Sequence, residues 1–118
     1  MESFKIKTKI ELFVFNLIPD DTDILITHTP PLYILDQVEL TGNCGSDALT
    51  YAMPYGVSLN VFGHIHENGG KWVVGIERLY VNASVVDENY EHNIDYVRIV
   101  YDEEQKKAIS VESRKNLS

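Results

Sequence analysis

The spacing of apolar residues changes along this chain, from a helical period near its start to strand-like patterns in its second half. Residues 4–18 fit the apolar stripe of a helix, although part of the segment also alternates, and we predict a helix that Pro19 ends. The apolar run Ile24–Thr27 predicts a short buried strand, which two prolines stop soon afterwards because proline donates no hydrogen bond to a strand. Ser46 is a suitable cap for a short helix that runs through Met53.

The second half of the chain predicts strands separated by turns. Apolar and small side chains alternate up to Phe62, and Asn68–Lys71 is a turn signal that leads into further apolar segments. Asp102–Gln105 is a second turn, and the strand after it is expected to be antiparallel to the strand before it. The predicted strands are Val57–Phe62, Trp72–Ile76, Arg78–Asn82, Ile94–Tyr101 and Ala108–Val111. The pattern therefore predicts a mixed α/β fold with few helices.

The length and charge of the chain narrow the classes of protein it can be. At 118 residues it is expected to form a single domain, 1–118, and its 44% apolar and 24% charged residues are typical of a globular protein. A formal charge of −8 argues against binding to nucleic-acid polymers or anionic membranes, whereas a divalent cation would still allow small phosphate ligands. With one cysteine, Cys44, no apolar run of membrane-spanning length and no signal-peptide pattern, we expect a cytoplasmic protein.

Two predicted strands end in histidines, in the segments Ile26-Thr27-His28 and Phe62-Gly63-His64-Ile65-His66. Ligands of open α/β sheets bind at the carboxyl ends of the strands, and Gly63 permits a sharp turn there. If the chain stays extended beyond that glycine, His64 and His66 point to the same face and can share one metal centre. Neutral imidazoles are good ligands for zinc, manganese or iron, so we predict a transition-metal site that contains His28, His64 and His66.

Three separate blocks of the chain together point to one enzyme family. They are Asp23-Ile24-Leu25-Ile26-Thr27-His28-Thr29-Pro30-Pro31, Val61-Phe62-Gly63-His64-Ile65-His66-Glu67 and Val81-Asn82-Ala83-Ser84. In this order and approximate spacing they resemble the calcineurin-like metallophosphoesterases, in particular the metallophosphoesterase-domain proteins similar to cyclic-nucleotide phosphodiesterases. The match covers about residues 18–90. It implies an α/β sandwich of two sheets, with a two-metal site at the strand ends.

The resemblance also implies a role for each matched residue. His28 matches the family's isolated histidine, a ligand of the second metal, and His64 matches the first histidine of the Gly-His-x-His block, a ligand of the same ion. His66 matches the second histidine of that block, a ligand of the first metal. Asn82 matches the Asn-Ala-Ser block beside the site, where the implied role is support of a loop.

The family's amino-terminal ligand blocks are absent from this sequence. Asp-x-His, Gly-Asp-x-x-Asp and Gly-Asn-His precede the isolated histidine in the family, whereas only 27 residues precede His28 here and contain none of them. The chain therefore resembles the carboxyl-terminal half of the domain, a partial metallophosphoesterase sandwich that lacks the amino-terminal strands. Without those carboxylates we expect fewer than two ions, such as one manganese, iron or zinc ion on His28 and His64, with His66 as a third ligand.

The resemblance implies a metal-dependent phosphoesterase-type hydrolase for a phosphodiester or nucleotide-like small molecule, incomplete as an isolated chain. In a completed site His66 is the candidate catalytic residue, and either it or the missing histidine of the Gly-Asn-His block would assist the leaving group. The alternatives are a non-catalytic metal-binding or interaction module derived from that fold, and a truncated product without its own function. The missing strands should pair with Ile24–Thr27 and Val57–Phe62, so we also expect a homodimer or a partner chain that covers the exposed edge.

Overall fold

A computed structural model of the protein describes residues 2–115, which form two helices, a four-stranded sheet and two small two-stranded sheets. The helices are α1 (Glu2–Phe15) and α2 (Asp47–Ala52), and a turn of 3-10 helix spans His66–Asn68. The strands are β1 (Ile24–Ile26), β2 (Gln37–Val38), β3 (Gly42–Asn43), β4 (Leu59–Phe62), β5 (Trp72–Val74), β6 (Leu79–Asn82), β7 (Tyr96–Asp102) and β8 (Lys107–Arg114). The predicted α/β class, with mixed sheets and few helices, is confirmed.

Both predicted helices form, and the short one begins where its capping residue lies. The Ser46 hydroxyl accepts a hydrogen bond from the Leu49 amide at 3.1 Å and donates one to the Glu11 carboxylate of α1 at 2.9 Å. The apolar stripe of α1 is largely exposed, with 60% of Ile10 and 71% of Phe13 accessible to solvent. Within residues 2–115, neither helix is long and apolar enough to cross a membrane.

The main sheet has the strand order β1-β4-β6-β5. The first three strands are parallel, and β5 is antiparallel to β6. The turn Asn68–Lys71 does lead into β5, but β6 lies between β5 and β4. Because β1, β4 and β6 run in one direction, their carboxyl ends meet at one edge of the sheet, which we call the histidine edge.

The expectation that a missing strand should pair with Val57–Phe62 was wrong. The strand formed there, β4, pairs with β1 on one side and with β6 on the other, so both of its ladders are filled within the chain. Only β1 remains at that border of the sheet, and among residues 2–115 no further strand pairs with its outer side. Its Ile24 and Ile26 side chains are 43% and 76% exposed, as is typical of a border that has no cover.

The hairpin β7–β8 covers one face of the sheet and forms the second layer. Leu59, Leu79 and Val81 are buried at the centre of this contact, and Ile99 and Val111 are among the hairpin residues that pack on them. A hydrogen bond of 2.6 Å between the hydroxyls of Ser58 and Tyr101 also joins the two layers. The molecule is therefore consistent with a partial metallophosphoesterase-like sandwich, with a hairpin as its second layer.

Candidate functional site

Backbone hydrogen bonds continue beyond the strand ends and align three loops at the histidine edge. The Gly63 amide donates to the His28 carbonyl at 3.1 Å, which places the loop after β4 beside the loop after β1. The Ala83 amide donates to the Phe62 carbonyl at 2.8 Å, which brings the loop after β6 to the same place. The candidate metal ligands therefore meet because parallel pairing carries on for one or two residues past the strands.

The structure brings the rings of two candidate ligands, His28 and His64, into contact. Their ring centroids lie 4.7 Å apart, with the ring planes inclined by 43°, and both side chains are exposed. Two neutral imidazoles at this separation offer nitrogen donors of the kind that zinc, manganese and iron accept. The pair fits part of a metal shell, and its exposure leaves room for further ligands.

The chain does not stay extended through the histidines. His64 has a φ of +67°, in the left-handed region that few residues other than glycine adopt, and a 3-10 helix begins at His66. Glycine at position 63 serves a different purpose from a sharp turn, because a Cβ there would lie 3.2 Å from the Ser84 hydroxyl. The glycine allows close approach of two loops, while the turn itself falls on His64.

The His66 ring contacts a different residue from the rings of His28 and His64. Its ring is half-buried and meets the Tyr90 ring edge to face, with centroids 5.1 Å apart. Within residues 2–115 no group of three or more histidine, cysteine, aspartate or glutamate side chains is arranged to hold a metal ion. The described residues therefore contribute two neighbouring nitrogen ligands and a third histidine beside Tyr90, and they do not by themselves complete a metal shell.

Asn82 fixes the loop that carries the histidines. Its side chain is fully buried at the end of β6, donates to the Ile65 carbonyl at 2.8 Å and accepts from the Ser84 amide at 2.9 Å. Ile65 lies between His64 and His66, so one amide side chain holds the backbone between both imidazoles. The geometry agrees with the loop-support role that the resemblance implies for Asn82.

Asp36 is a structural residue of the site that the sequence pattern did not single out. Its carboxylate is buried and accepts from the amides of Tyr33 at 2.8 Å and Gly45 at 2.9 Å. These bonds fold the long loop that follows His28, and Asn68 attaches that loop to the 3-10 turn through the Leu35 carbonyl at 2.9 Å. A lone aspartate after two apolar residues was the available signal, although a loop pattern cannot show which amides it would meet.

Comparisons with known proteins point to the same family as the sequence blocks. No family model matches the chain. Metallophosphoesterase domain-containing protein 1 of Homo sapiens is 46% identical over 80 residues, which cover 65% of this chain and 24% of that protein. A UPF0046 protein of Caenorhabditis elegans is 43% identical over 68 residues, which cover 57% of this chain and 23% of that protein.

A third similarity is to a protein of Emericella nidulans named probable rhamnogalacturonate lyase C. It is 47% identical over 60 residues, but these cover only 5% of that protein. Because the shared segment is such a small part of that protein, the protein's name is no guide to the function of the segment. The chain spans about a quarter of the length of the human and nematode relatives that it matches.

Proposed function

Because this chain belongs to the metallophosphoesterase family, with a match to about a quarter of its human relative, we propose that it supplies one side of a metal-dependent site for phosphoester hydrolysis. The observation that carries the proposal is the proximity of the His28 and His64 rings, 4.7 Å apart, at the carboxyl edge of a parallel sheet. Ligand sites of open α/β sheets occur at that edge.

The proposed roles divide the three histidines into a pair and a single residue. His28 and His64 hold one divalent ion of manganese, iron or zinc, and the remaining ligands come from outside residues 2–115. When bound, the ion supplies positive charge that polarises a phosphoryl oxygen. His66 follows His64 by two residues in the sequence. Its half-buried ring packs against Tyr90, which suits a residue that transfers a proton to the leaving oxygen.

The proposed substrate is a phosphodiester or nucleotide-like small molecule. The net charge of −8 supports a small substrate over a nucleic-acid polymer, because a polymer adds phosphate charges that no bound ion would offset. A single cysteine and the absence of disulfides support a cytoplasmic location. We also propose that a second copy of the chain covers the outer side of β1, where Ile26 is 76% exposed.

One observation favours a second candidate function, a non-catalytic metal-binding or interaction module. Residues 2–115 contain no group of three or more metal ligands, and turnover by a single ion on two histidines lacks the paired ions that stabilise both oxygens of a displacement. In this candidate, His28 and His64 bind an ion that links the chain to a partner's carboxylates, and no hydrolysis follows.

Paired measurements of metal binding and hydrolysis distinguish the two candidates. Manganese and zinc are titrated into the protein by calorimetry, and bis(4-nitrophenyl) phosphate hydrolysis is followed in the same samples. His64→Ala is expected to weaken metal binding at least about tenfold, because it removes one of two neighbouring nitrogen donors. His92→Ala is the matched control, since His92 is exposed, pairs with Asp95 at 2.8 Å and takes no part in the site.

Each outcome supports one candidate or removes it. Turnover that disappears in His64→Ala and persists in His92→Ala supports the hydrolase. Metal binding without turnover supports the binding module, and metal binding that His64→Ala leaves unchanged overturns both. His66→Ala separates the proposed roles, because loss of a proton donor should lower turnover roughly a hundredfold while metal affinity stays within a factor of about three.

A further inference from the structure

A cavity of about 590 Å³ lies between the sheet and the hairpin, away from the histidine edge. Its walls include Ser58 and Leu79, where β4 and β6 begin, and Gly75, just after β5. The histidines follow the opposite ends of the same parallel strands, roughly 13 Å away for strands of this length. The cavity is therefore separate from the candidate metal centre, and its volume is within the range of small-molecule sites.

The inner wall of the cavity is apolar. Leu79 belongs to the buried core between the two layers, and Ala108 and Val111 of β8 pack against that core while they also line the cavity. Val74 adds an aliphatic side chain that is 77% exposed at the entrance. A ligand with an apolar body would remove part of this surface from water, which favours binding in proportion to the area covered.

The rim of the cavity is positively charged, although the chain as a whole is acidic. Arg78, Lys106 and Lys107 line it, three of the chain's ten basic residues, whereas Glu77 is the one carboxylate among the lining residues. Two of these cations lack a carboxylate partner in the described part of the chain. Lys106 differs, because its amine lies 3.7 Å from the Asp23 carboxylate.

The guanidinium of Arg78 donates only to neutral oxygens. Its partners include the carbonyls of Val57 and Pro54, the latter at 2.8 Å, and the hydroxyl of Tyr80 at 3.2 Å. These bonds fix the position of the guanidinium and leave its charge without a counter-ion. The side-chain amine of Lys107 forms no ion pair or hydrogen bond with the described residues. An anion at the rim would therefore meet a guanidinium held in place by hydrogen bonds and an exposed lysine amine without a partner among the described residues.

We propose that this cavity binds a small organic monoanion, whose apolar body lies against Leu79, Ala108 and Val111 and whose carboxylate lies beside Lys107. The site is independent of the metal centre. Binding requires both parts of the ligand. The rim is exposed to water and by itself attracts an inorganic ion only weakly, and the apolar inner wall by itself would accept any apolar compound.

The test uses two probes of the same shape that differ in charge, 2-naphthoate and 2-naphthalenemethanol. Each is titrated into ¹⁵N-labelled protein without added metal, and amide chemical shifts are followed. We expect saturable shifts by 2-naphthoate, with a Kd in about the millimolar range or tighter, centred on Gly75, Ala108 and Ser110. The neutral alcohol should bind more weakly by about three- to tenfold, because it lacks attraction to the lysine.

Lys107→Gln supplies the residue-specific evidence, with Lys71→Gln as the control of equal charge change. Lys71 is exposed near the opposite edge, where its amine contacts the Asn68 side chain at 3.3 Å. Lys107→Gln should weaken 2-naphthoate binding about three- to tenfold and leave binding of the alcohol unchanged, while Lys71→Gln changes neither. Equal binding of the two probes, equal effects of the two variants, or shifts centred on the exposed side chains of α1 would overturn the proposal.

Discussion

Replacement of Asn82 by alanine should destabilise the protein more than any exposed asparagine would. The side chain is fully buried, and both of its polar atoms have backbone partners: the Ile65 carbonyl at 2.8 Å and the Ser84 amide at 2.9 Å. Alanine removes both hydrogen bonds at once. Among the described residues the Ser84 amide then has no partner, whereas the Ile65 carbonyl keeps the hydrogen bond that it accepts from the Asn68 amide at 3.1 Å.

The magnitude follows from one amide left without a partner, that of Ser84, and from one hydrogen bond lost by the Ile65 carbonyl, which keeps another. An unsatisfied buried polar group costs about 1–3 kcal/mol and the loss of one net hydrogen bond about 0.5–1.5 kcal/mol, which together give about 1.5–4.5 kcal/mol. Ser84 is half-buried, so water can reach its amide more easily than the carbonyl of Ile65, which is 3% exposed. We therefore expect the free energy of unfolding to fall by about 2–4 kcal/mol.

Urea unfolding followed by tryptophan fluorescence measures this change, since the protein has a single tryptophan, Trp72. Asn89→Ala is the control, because Asn89 is exposed and only its backbone amide is hydrogen-bonded. Asn82→Asp adds a sharper comparison: it keeps an acceptor for the Ser84 amide but faces the Ile65 carbonyl with an oxygen. A loss below about 1 kcal/mol in Asn82→Ala, or equal losses in the Asn82 and Asn89 variants, would refute the role of Asn82 in holding the histidine loop.

Three further predictions test the packing around the site. Gly69→Ala should destabilise the protein by more than about 2 kcal/mol, because its Cβ would overlap the Ser84 carbonyl; thermal unfolding measures the loss. Ser46→Ala should cost about 1 kcal/mol in urea unfolding, because α2 loses the cap on the Leu49 amide. Ile26→Lys should convert a dimer of the isolated chain to a monomer in light scattering, because charge on an edge strand opposes pairing.

Each of these substitutions has a matched control. Gly42→Ala tests conformation without crowding, since Gly42 has a φ of +86° and a Cβ there would have no neighbour within 4 Å; a loss as large as that of Gly69→Ala would contradict the overlap. Ser110→Ala removes an exposed hydroxyl from a strand, and an equal loss there would contradict the cap. Leu40→Lys adds the same charge at a fully exposed turn, and a monodisperse wild-type monomer at tens of micromolar would refute the dimer.

Much of the secondary structure could be predicted because it depends on neighbouring residues. Pro19 follows the first helix, Ser46 caps the second, and alternating side chains mark the last two strands, β7 and β8. The turn before β8 is equally local, since the Asp102 carboxylate accepts from the amides of Glu104 and Gln105 at 2.9 Å. Such signals need no knowledge of the rest of the fold.

Local patterns in the sequence predict most of the helices and strands and the histidines that follow two of the strands, because burial patterns and caps act within a few residues. They miss the small sheet β2–β3 and the 3-10 turn His66–Asn68. The tertiary fold sets the strand order, in which β6 separates β4 from β5, since each strand pairs with a segment that is distant in the chain. It also decided that His64 turns into the left-handed region toward His28 while His66 packs on Tyr90. The different orientations of His64 and His66 depend on where Asn82 holds the loop between them. No local pattern encodes the position of the Ile65 carbonyl, which lies seventeen residues from Asn82 in the sequence.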